Sequence, residues 1–274
     1  MAISFTKPVV LVGAGNMGGA LLKGWLAKGL DPQKVTVIDP SPPEPMRALL
    51  EEHGIGSHAA VPQLNDVPYA IVLAVKPQLM DAVAPSLVPL LSAPTTVLSV
   101  AAGRTLASLA AHFPPGTPIV RSIPNTPAAV GRGITVAIAN VSVAPAQRQL
   151  CDGLLAAVGE VAWVEDEALI DAATAVSGSG PAYVFLLAEC LAEAGRQVGL
   201  EPELAAKLAR ATVSGAGELM HLSTLPPATL RQNVTSPGGT TAAALEVLMG
   251  ANGLQLLLIK AVAAAHARAK ALAI

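Results

Sequence analysis

A chain of 274 residues with a formal net charge of −2 is long enough to bury one or two substantial cores. It has no basic excess for binding nucleic acid. Hydrophobic residues make up 52% and charged ones only 13%, a lean charge complement that suggests much of the surface is covered by another copy of the chain.

Lys7–Val12 reads as a buried parallel strand. It runs into Gly13-Ala14-Gly15-Asn16-Met17-Gly18, and Gly19–Leu26 then reads as a helix. Strand, glycine turn and helix in that order are the context in which GxGxxG binds a dinucleotide. The first Gly makes the turn, the second lets the backbone approach a pyrophosphate, and the third packs helix on strand. A second strand, Lys34–Ile38, ends on Asp39, placed to meet the hydroxyls of an adenosine ribose. The Pro-rich stretch from Pro40 to Pro45 is the loop that follows it. An N-terminus that enters a strand within a few residues shows no secretory leader, so a cytoplasmic location is expected.

Further strands are expected at Ala70–Val75, stopping at Lys76-Pro77, and at Thr95–Val100. Another is expected at Pro118–Ile123, which runs into Pro124-Asn125-Thr126-Pro127. The uncharged stretch Ala82–Gly103 could span a bilayer by length, but Pro85, Pro89 and Pro94 break it into helix-then-strand pieces. Gly133–Ala139 and Val161–Val164 are expected as later, edge strands. Strands alternating with helices imply an α/β fold with a mostly parallel, doubly wound sheet over residues 1–164.

From about residue 165 to 274 the hydrophobic period switches from strand to helix, which places a domain boundary near 164 and makes the second half all-helical. Val176-Ser177-Gly178-Ser179-Gly180-Pro181 reads as a Gly/Ser turn leading into the helix Pro181–Val198. Helices follow at Pro202–His221 and Ala251–Ile274. Cys151 and Cys190, the only cysteines, fall in helical stretches and read as buried free thiols of a reducing compartment. Between the last helices stands Thr235-Ser236-Pro237-Gly238-Gly239-Thr240-Thr241, ahead of an Ala/Leu/Glu helix. A Gly-rich turn opening a helix offers unpaired amides and the positive end of the macrodipole, a natural carboxylate site.

An alcohol dehydrogenase needs a base beside the hydride acceptor, and Ala182–Gly195 contains neither Lys nor His. The five histidines are scattered outside the Gly-rich turns, and no metal-ligand spacing appears. A protonated imine needs mainly orientation and hydrogen bonds, so imine reduction fits better. A related imine or hydroxyacid reductase on the same architecture and a catalytically inactive dinucleotide sensor are the alternatives.

In order along the chain, Gly13–Gly18, Ala74–Pro77, Asn125-Thr126-Pro127, Ser177–Pro181 and Ser236–Thr241 resemble the motif series of pyrroline-5-carboxylate reductases. The resemblance runs nearly end to end, and the last motif is the most specific. It implies a Rossmann domain, a helical dimerisation domain, and reduction of 1-pyrroline-5-carboxylate to L-proline by NAD(P)H in a homodimer, with a ring of dimers as the larger alternative. On the same resemblance Gly13, Gly15, Asn16, Met17 and Gly18 hold the pyrophosphate. Ala74, Val75, Lys76 and Pro77 line the nicotinamide riboside, with Asn125 and Ser177 bordering the active site. Ser236, Gly239, Thr240 and Thr241 take the substrate, with Thr241 nearest the ring nitrogen. Two positions depart from the family pattern. Thr240 stands where Ala is common, and Asp39 stands where a small polar residue tolerates a 2′-phosphate, which points to use of NADH.

Overall fold

The computed structural model describes residues 8–273, so Lys7 and Ile274, the ends of two expected elements, lie outside the described residues. Among the described residues there are eight strands: β1 Val9–Val12, β2 Val35–Ile38, β3 Gly56–His58, β4 Ala70–Leu73, β5 Thr96–Ser99, β6 Ile119–Pro124, β7 Gly133–Ala139 and β8 Gly159–Trp163. With them run the helices α1 Asn16–Ala27, α2 Glu44–His53, α3 Met80–Val83, α4 Leu106–Ala110, α5 Pro145–Leu155 and α6 Ala168–Ala173. After these come α7 Gly180–Gln197, α8 Pro202–Leu222, α9 Pro227–Asn233, α10 Thr240–Leu248 and α11 Leu254–Leu272.

The strands form one sheet in the order β3-β2-β1-β4-β5-β6-β7-β8. Every neighbouring pair is parallel except β6 with β7. Alternate residues of β1 feed opposite faces: Val9 and Leu11 join Trp25, Val37 and Leu154, while Val10 and Val12 join Ile71, Met80 and Leu87. Both faces are therefore covered, which explains why strands such as VVLV and AIVL are apolar throughout. Trp25 Nε1 donates to Leu154 O at 2.8 Å, tying α1 to α5 beneath the sheet. Strand order reverses between β1 and β4, and a crevice beyond the strand ends at such a switch point is where ligands bind.

Two expectations need correction, and one element is new. Gly133–Ala139 is a strand but not an edge, because β8 pairs with its outer side. The short edge strand β3 is a further element; its three residues lack the apolar alternation that would reveal it. Ala251–Gly253 precede α11 rather than belonging to it. The stretch 82–103 is a run of short helical turns followed by β5.

The chain divides into two units. One runs to Gly178 and takes in His266 onward; the other is Ser179–Ala265. β8 ends at Trp163, where the strand-like sequence ends. The division falls later because α6 buries Ile170 against Ile123, Val136 and Ile138 of the sheet. In the second unit, the buried hydrophobic residues among those described are Ala205 and Ala209, while Phe185, Leu186, Leu257 and Ile259 are exposed in the single chain. The helical run Ala168–Gln197 is long and apolar enough to cross a membrane by composition, with 6% of its apolar window buried.

Candidate active site

The glycine turn closes by contact. Gly13 has φ +91°, and a Cβ there would stand 2.8 Å from Ala74 O. On Gly18 a Cβ would collide with Gly13 O, so α1 packs onto the turn only because that position is glycine. A Cβ on Gly15 meets nothing within 4 Å. Two glycines are thus demanded by the protein itself, whereas the middle one opens onto free space. α1 begins at Asn16 with Gly15 as its cap, so the amides of Asn16, Met17 and Gly18 lie in the first turn, at the positive end of the helix.

Asp39 is fastened into this turn. Its Oδ2 accepts from Ala14 N at 2.7 Å and its Oδ1 from Ser41 N at 2.8 Å, while its own amide donates to His58 O at 2.9 Å. The carboxylate therefore joins the glycine turn to the loop after β2, and each oxygen keeps acceptor capacity for a ribose hydroxyl. Arg47, which might have offset the negative charge, is paired with Glu44 on the exposed side of α2. Opposite the glycine turn, Ala74–Pro77 leaves β4 and enters a single 3₁₀ turn, Pro77–Leu79, with the Lys76 side chain exposed.

Asn125 and Ser177 are brought together. Asn125 Nδ2 donates to Ser177 O at 3.1 Å, and Asn125 Oδ1 accepts from Ile134 N at 3.0 Å. Ser177 does not lie in a loop: Thr174–Gly178 is a π-helical segment between α6 and α7. The hydroxyls of Thr174 and Ser177 donate to Ile170 O (2.8 Å) and Ala173 O (2.9 Å), holding the widened turn. Pro181 has no N–H to offer the Ser177 carbonyl, so the Asn125 amide supplies the missing donor. The Gly/Ser/Pro cluster that reads as a turn is helical because these side chains complete its hydrogen bonding.

In the second unit Ser236–Gly239 forms a turn, with Gly239 N donating to Ser236 O at 3.1 Å and Gly238 at φ +68°. A Cβ on Gly239 would stand 2.4 Å from Ser236 Oγ, so the serine hydroxyl lies over the Gly239 backbone and a side chain there would displace it. Gly239 is the cap of α10 and has no side chain to occupy its first amides. Thr240 and Thr241 are the first two helical residues, Thr240 exposed and Thr241 half-buried. Amides and hydroxyls presented together at a helix start suit a carboxylate.

Sequence reasoning passed over two ionic clusters. Arg104 donates to Pro77 O and to both oxygens of Asp81, whose carboxyl is held below the usual carboxylate range chiefly by the Arg104 hydrogen bond. Buried Arg121, on β6, reaches Glu167 Oε1 at 2.6 Å and Asp171 Oδ1 at 3.4 Å, fixing α6 to the sheet. No spacing rule reveals either, since each joins elements far apart in sequence. Of the two cysteines expected to be buried, Cys151 is buried, its thiol pushed up to about 12 by burial, whereas Cys190 is exposed in the single chain.

A doubly wound sheet with a glycine turn at its switch point, followed along the chain by a helical unit with a second Gly-rich turn, fits the class of dinucleotide-dependent oxidoreductases. Residues 167–272 match the family "Pyrroline-5-carboxylate reductase dimerisation", and residues 8–103 match "NADP oxidoreductase coenzyme F420-dependent". The chain is 41% identical to the pyrroline-5-carboxylate reductase of Pseudomonas aeruginosa, covering 98% of this chain and 97% of that protein. It is 39% identical to that of Synechocystis, covering 96% and 97%. Among solved structures, the Coxiella burnetii pyrroline-5-carboxylate reductase superposes with a TM-score of 0.91 at 38% identity, covering 98% and 99%. The Plasmodium falciparum pyrroline carboxylate reductase with NADP bound gives 0.80 at 29%, covering 98% and 99%. This chain belongs to the pyrroline-5-carboxylate reductase family.

Proposed function

We infer that the chain reduces the C=N bond of 1-pyrroline-5-carboxylate to give L-proline, using NAD(P)H. The observation that carries this reading is the intact Ser236–Thr241 turn at the start of α10, in a chain of this family whose other unit carries a complete dinucleotide turn. Gly13–Gly18 and the first amides of α1 hold the pyrophosphate, Asp39 takes the adenosine ribose, and Ala74–Pro77 borders the nicotinamide riboside. Asn125, already bound to Ser177 and Ile134, is a rigid border of the site rather than a mobile contact.

When bound, the nicotinamide supplies hydride. The chain's own residues orient the imine: helix-start amides and the Ser236 and Thr240 hydroxyls take the substrate carboxylate, and the Thr241 hydroxyl hydrogen-bonds the ring nitrogen. A Thr hydroxyl is too weak an acid to protonate an imine, so Thr241 orients, and the proton arrives with a pre-protonated iminium or from solvent. The α7 stretch Ala182–Gly195 offers no Lys or His as a base, which disfavours the hydroxyacid reading.

The helical half, 165–274, acts as the substrate and dimerisation domain. Its exposed Phe185, Leu186, Leu257 and Ile259 and the dimerisation family it matches support a homodimer, with a ring of dimers as the larger alternative. Two unpaired cysteines favour the reducing cytoplasm. The test is steady-state oxidation of NADH and of NADPH with 1-pyrroline-5-carboxylate, beside a small 2-hydroxy acid and NAD(P) in the reverse direction. Turnover with the imine alone supports the reading; turnover with the hydroxy acid alone overturns it.

A further inference from the structure

The glycine turn needs a wall opposite it; the sheet holds that wall at its start, where Ala74 N donates to Val12 O at 2.8 Å, and the residues beyond depend on what grips them. Ala74 O lies within 2.8 Å of where a Gly13 Cβ would stand, so any shift of Ala74–Pro77 changes the width of the space between them. The segment leaves β4 and makes a single 3₁₀ turn with no side-chain cap, and Lys76 and Gln78 are exposed. The turn runs directly into α3, whose Met80 is buried, so the helical run is anchored beyond Leu79. The carbonyl at its start is that of Pro77, which accepts from Met80 N and keeps a second lone pair that a side chain from another element can take.

Arg104 holds it. This residue follows β5, the strand beside β4, and its side chain is 7% exposed. Its Nε and Nη2 donate to Pro77 O at 3.2 and 2.7 Å. Nη1 and Nη2 donate to the two Asp81 oxygens at 2.7 and 3.1 Å. Asp81 also contacts His112 Nε2 at 3.1 Å. One planar fork thus grips the carbonyl at the start of the turn and the carboxylate just beyond it. A lysine cannot make both contacts in that geometry. The neighbouring strands are already joined by their own ladder, Ala70–Leu73 against Thr96–Ser99, so the guanidinium is not needed to pair β4 with β5.

We propose that Arg104 is a positioning residue for the cofactor: through the Pro77 carbonyl it fixes Ala74–Pro77 against the glycine turn and so sets the affinity for the nicotinamide end of NAD(P)H. This rests on the reading of Ala74–Pro77 as the cofactor's wall. Acting through the Pro77 carbonyl, Arg104 supports binding equally before and during hydride transfer, so its loss raises KM and leaves kcat in place.

The experiment compares wild type, Arg104→Lys and Asp81→Ala. It measures NADH affinity by nicotinamide fluorescence without imine, both Michaelis constants, kcat and the melting temperature. Arg104→Lys raises the Kd and KM for NADH about tenfold, the loss of one hydrogen bond from a charged donor. The same variant keeps kcat within about twofold and the imine KM unchanged. Asp81→Ala leaves both Pro77 contacts in place, so its cofactor KM rises no more than about threefold. An Arg104→Lys enzyme with wild-type cofactor affinity overturns the proposal, as does one that loses kcat and melting temperature together with cofactor affinity unmoved. Should Arg104→Lys fail to fold, a cofactor KM in Asp81→Ala that rises far beyond threefold overturns it. A wild type that neither binds NAD(P)H nor reduces the imine would overturn the functional reading itself, whereas indifferent variants of an active wild type remove only the role of Arg104.

Discussion

Replacing Asp39 by Ser should move cofactor preference toward NADPH, and the structure allows two consequences to be separated. The Asp39 carboxylate sits at the end of β2 with Ala14 N at 2.7 Å and Ser41 N at 2.8 Å, so its negative charge is fixed where an adenosine ribose is read. A 2′-phosphate about 4 Å away would be repelled by about 1–4 kcal/mol, between bulk-water and near-surface dielectrics. Arg47 does not cancel this, being paired with Glu44. The second consequence is loss of the acceptor for Ala14 N, worth about 1.5–3 kcal/mol for a charged partner. That loss loosens the glycine turn for NADH and NADPH alike, so it lowers both efficiencies but cancels from their ratio. The expected result is a rise of at least about fivefold in the NADPH/NADH ratio of kcat/KM, with absolute efficiency for NADH reduced. Steady-state cofactor oxidation with each nucleotide measures both. A wild type with strong NADPH selectivity that Asp39→Ser leaves unchanged would refute the argument.

Thr241→Ala should lower kcat by roughly ten- to a hundredfold, the loss of one hydrogen bond of about 1–3 kcal/mol, with NADH affinity near wild type. Thr241→Ser should keep most activity, and full turnover in the alanine variant would show that the hydroxyl serves only the helix. Multi-angle light scattering should give a homodimer or a ring of dimers, such interfaces commonly burying on the order of 2,000 Å² or more; a stable, active monomer would contradict this. Burial pushes the Cys151 thiol from an ordinary 9.0 up to about 12, so the neutral form is favoured in the folded state. Its contribution is complete below pH 9 and falls as pH rises to 12, by about 4 kcal/mol at the limit. Urea denaturation across that window should therefore show a steeper loss in wild type than in Cys151→Ala.

Much of the nucleotide half is legible because its rules are local. A glycine turn between an apolar strand and a helix is written in consecutive residues, and the contacts of Gly13 and Gly18 are the physical reason for that pattern. Four-residue strands buried on both faces, such as Ala70–Leu73, are equally visible, whereas Gly56–His58 is too short and exposed to be read. The Thr174–Gly178 segment misleads because Gly, Ser and Pro are turn residues by chemistry. Its helicity depends on the Ser177 hydroxyl and on Asn125, which is distant in sequence. Arg104 and Arg121 were not legible at all. The first grips a main-chain carbonyl, which leaves no mark on side-chain composition, and the second pairs with acids on a helix beyond two further strands.

The central claim is that hydride goes to the imine carbon of 1-pyrroline-5-carboxylate. Its most direct measurement uses nicotinamide cofactor deuterated at the transferable C4 position, with mass spectrometry and NMR of the product. The account predicts L-proline carrying one deuterium on the ring carbon next to nitrogen and distant from the carboxylate. Proline without deuterium at that carbon, or no proline while the cofactor is oxidised, would contradict it.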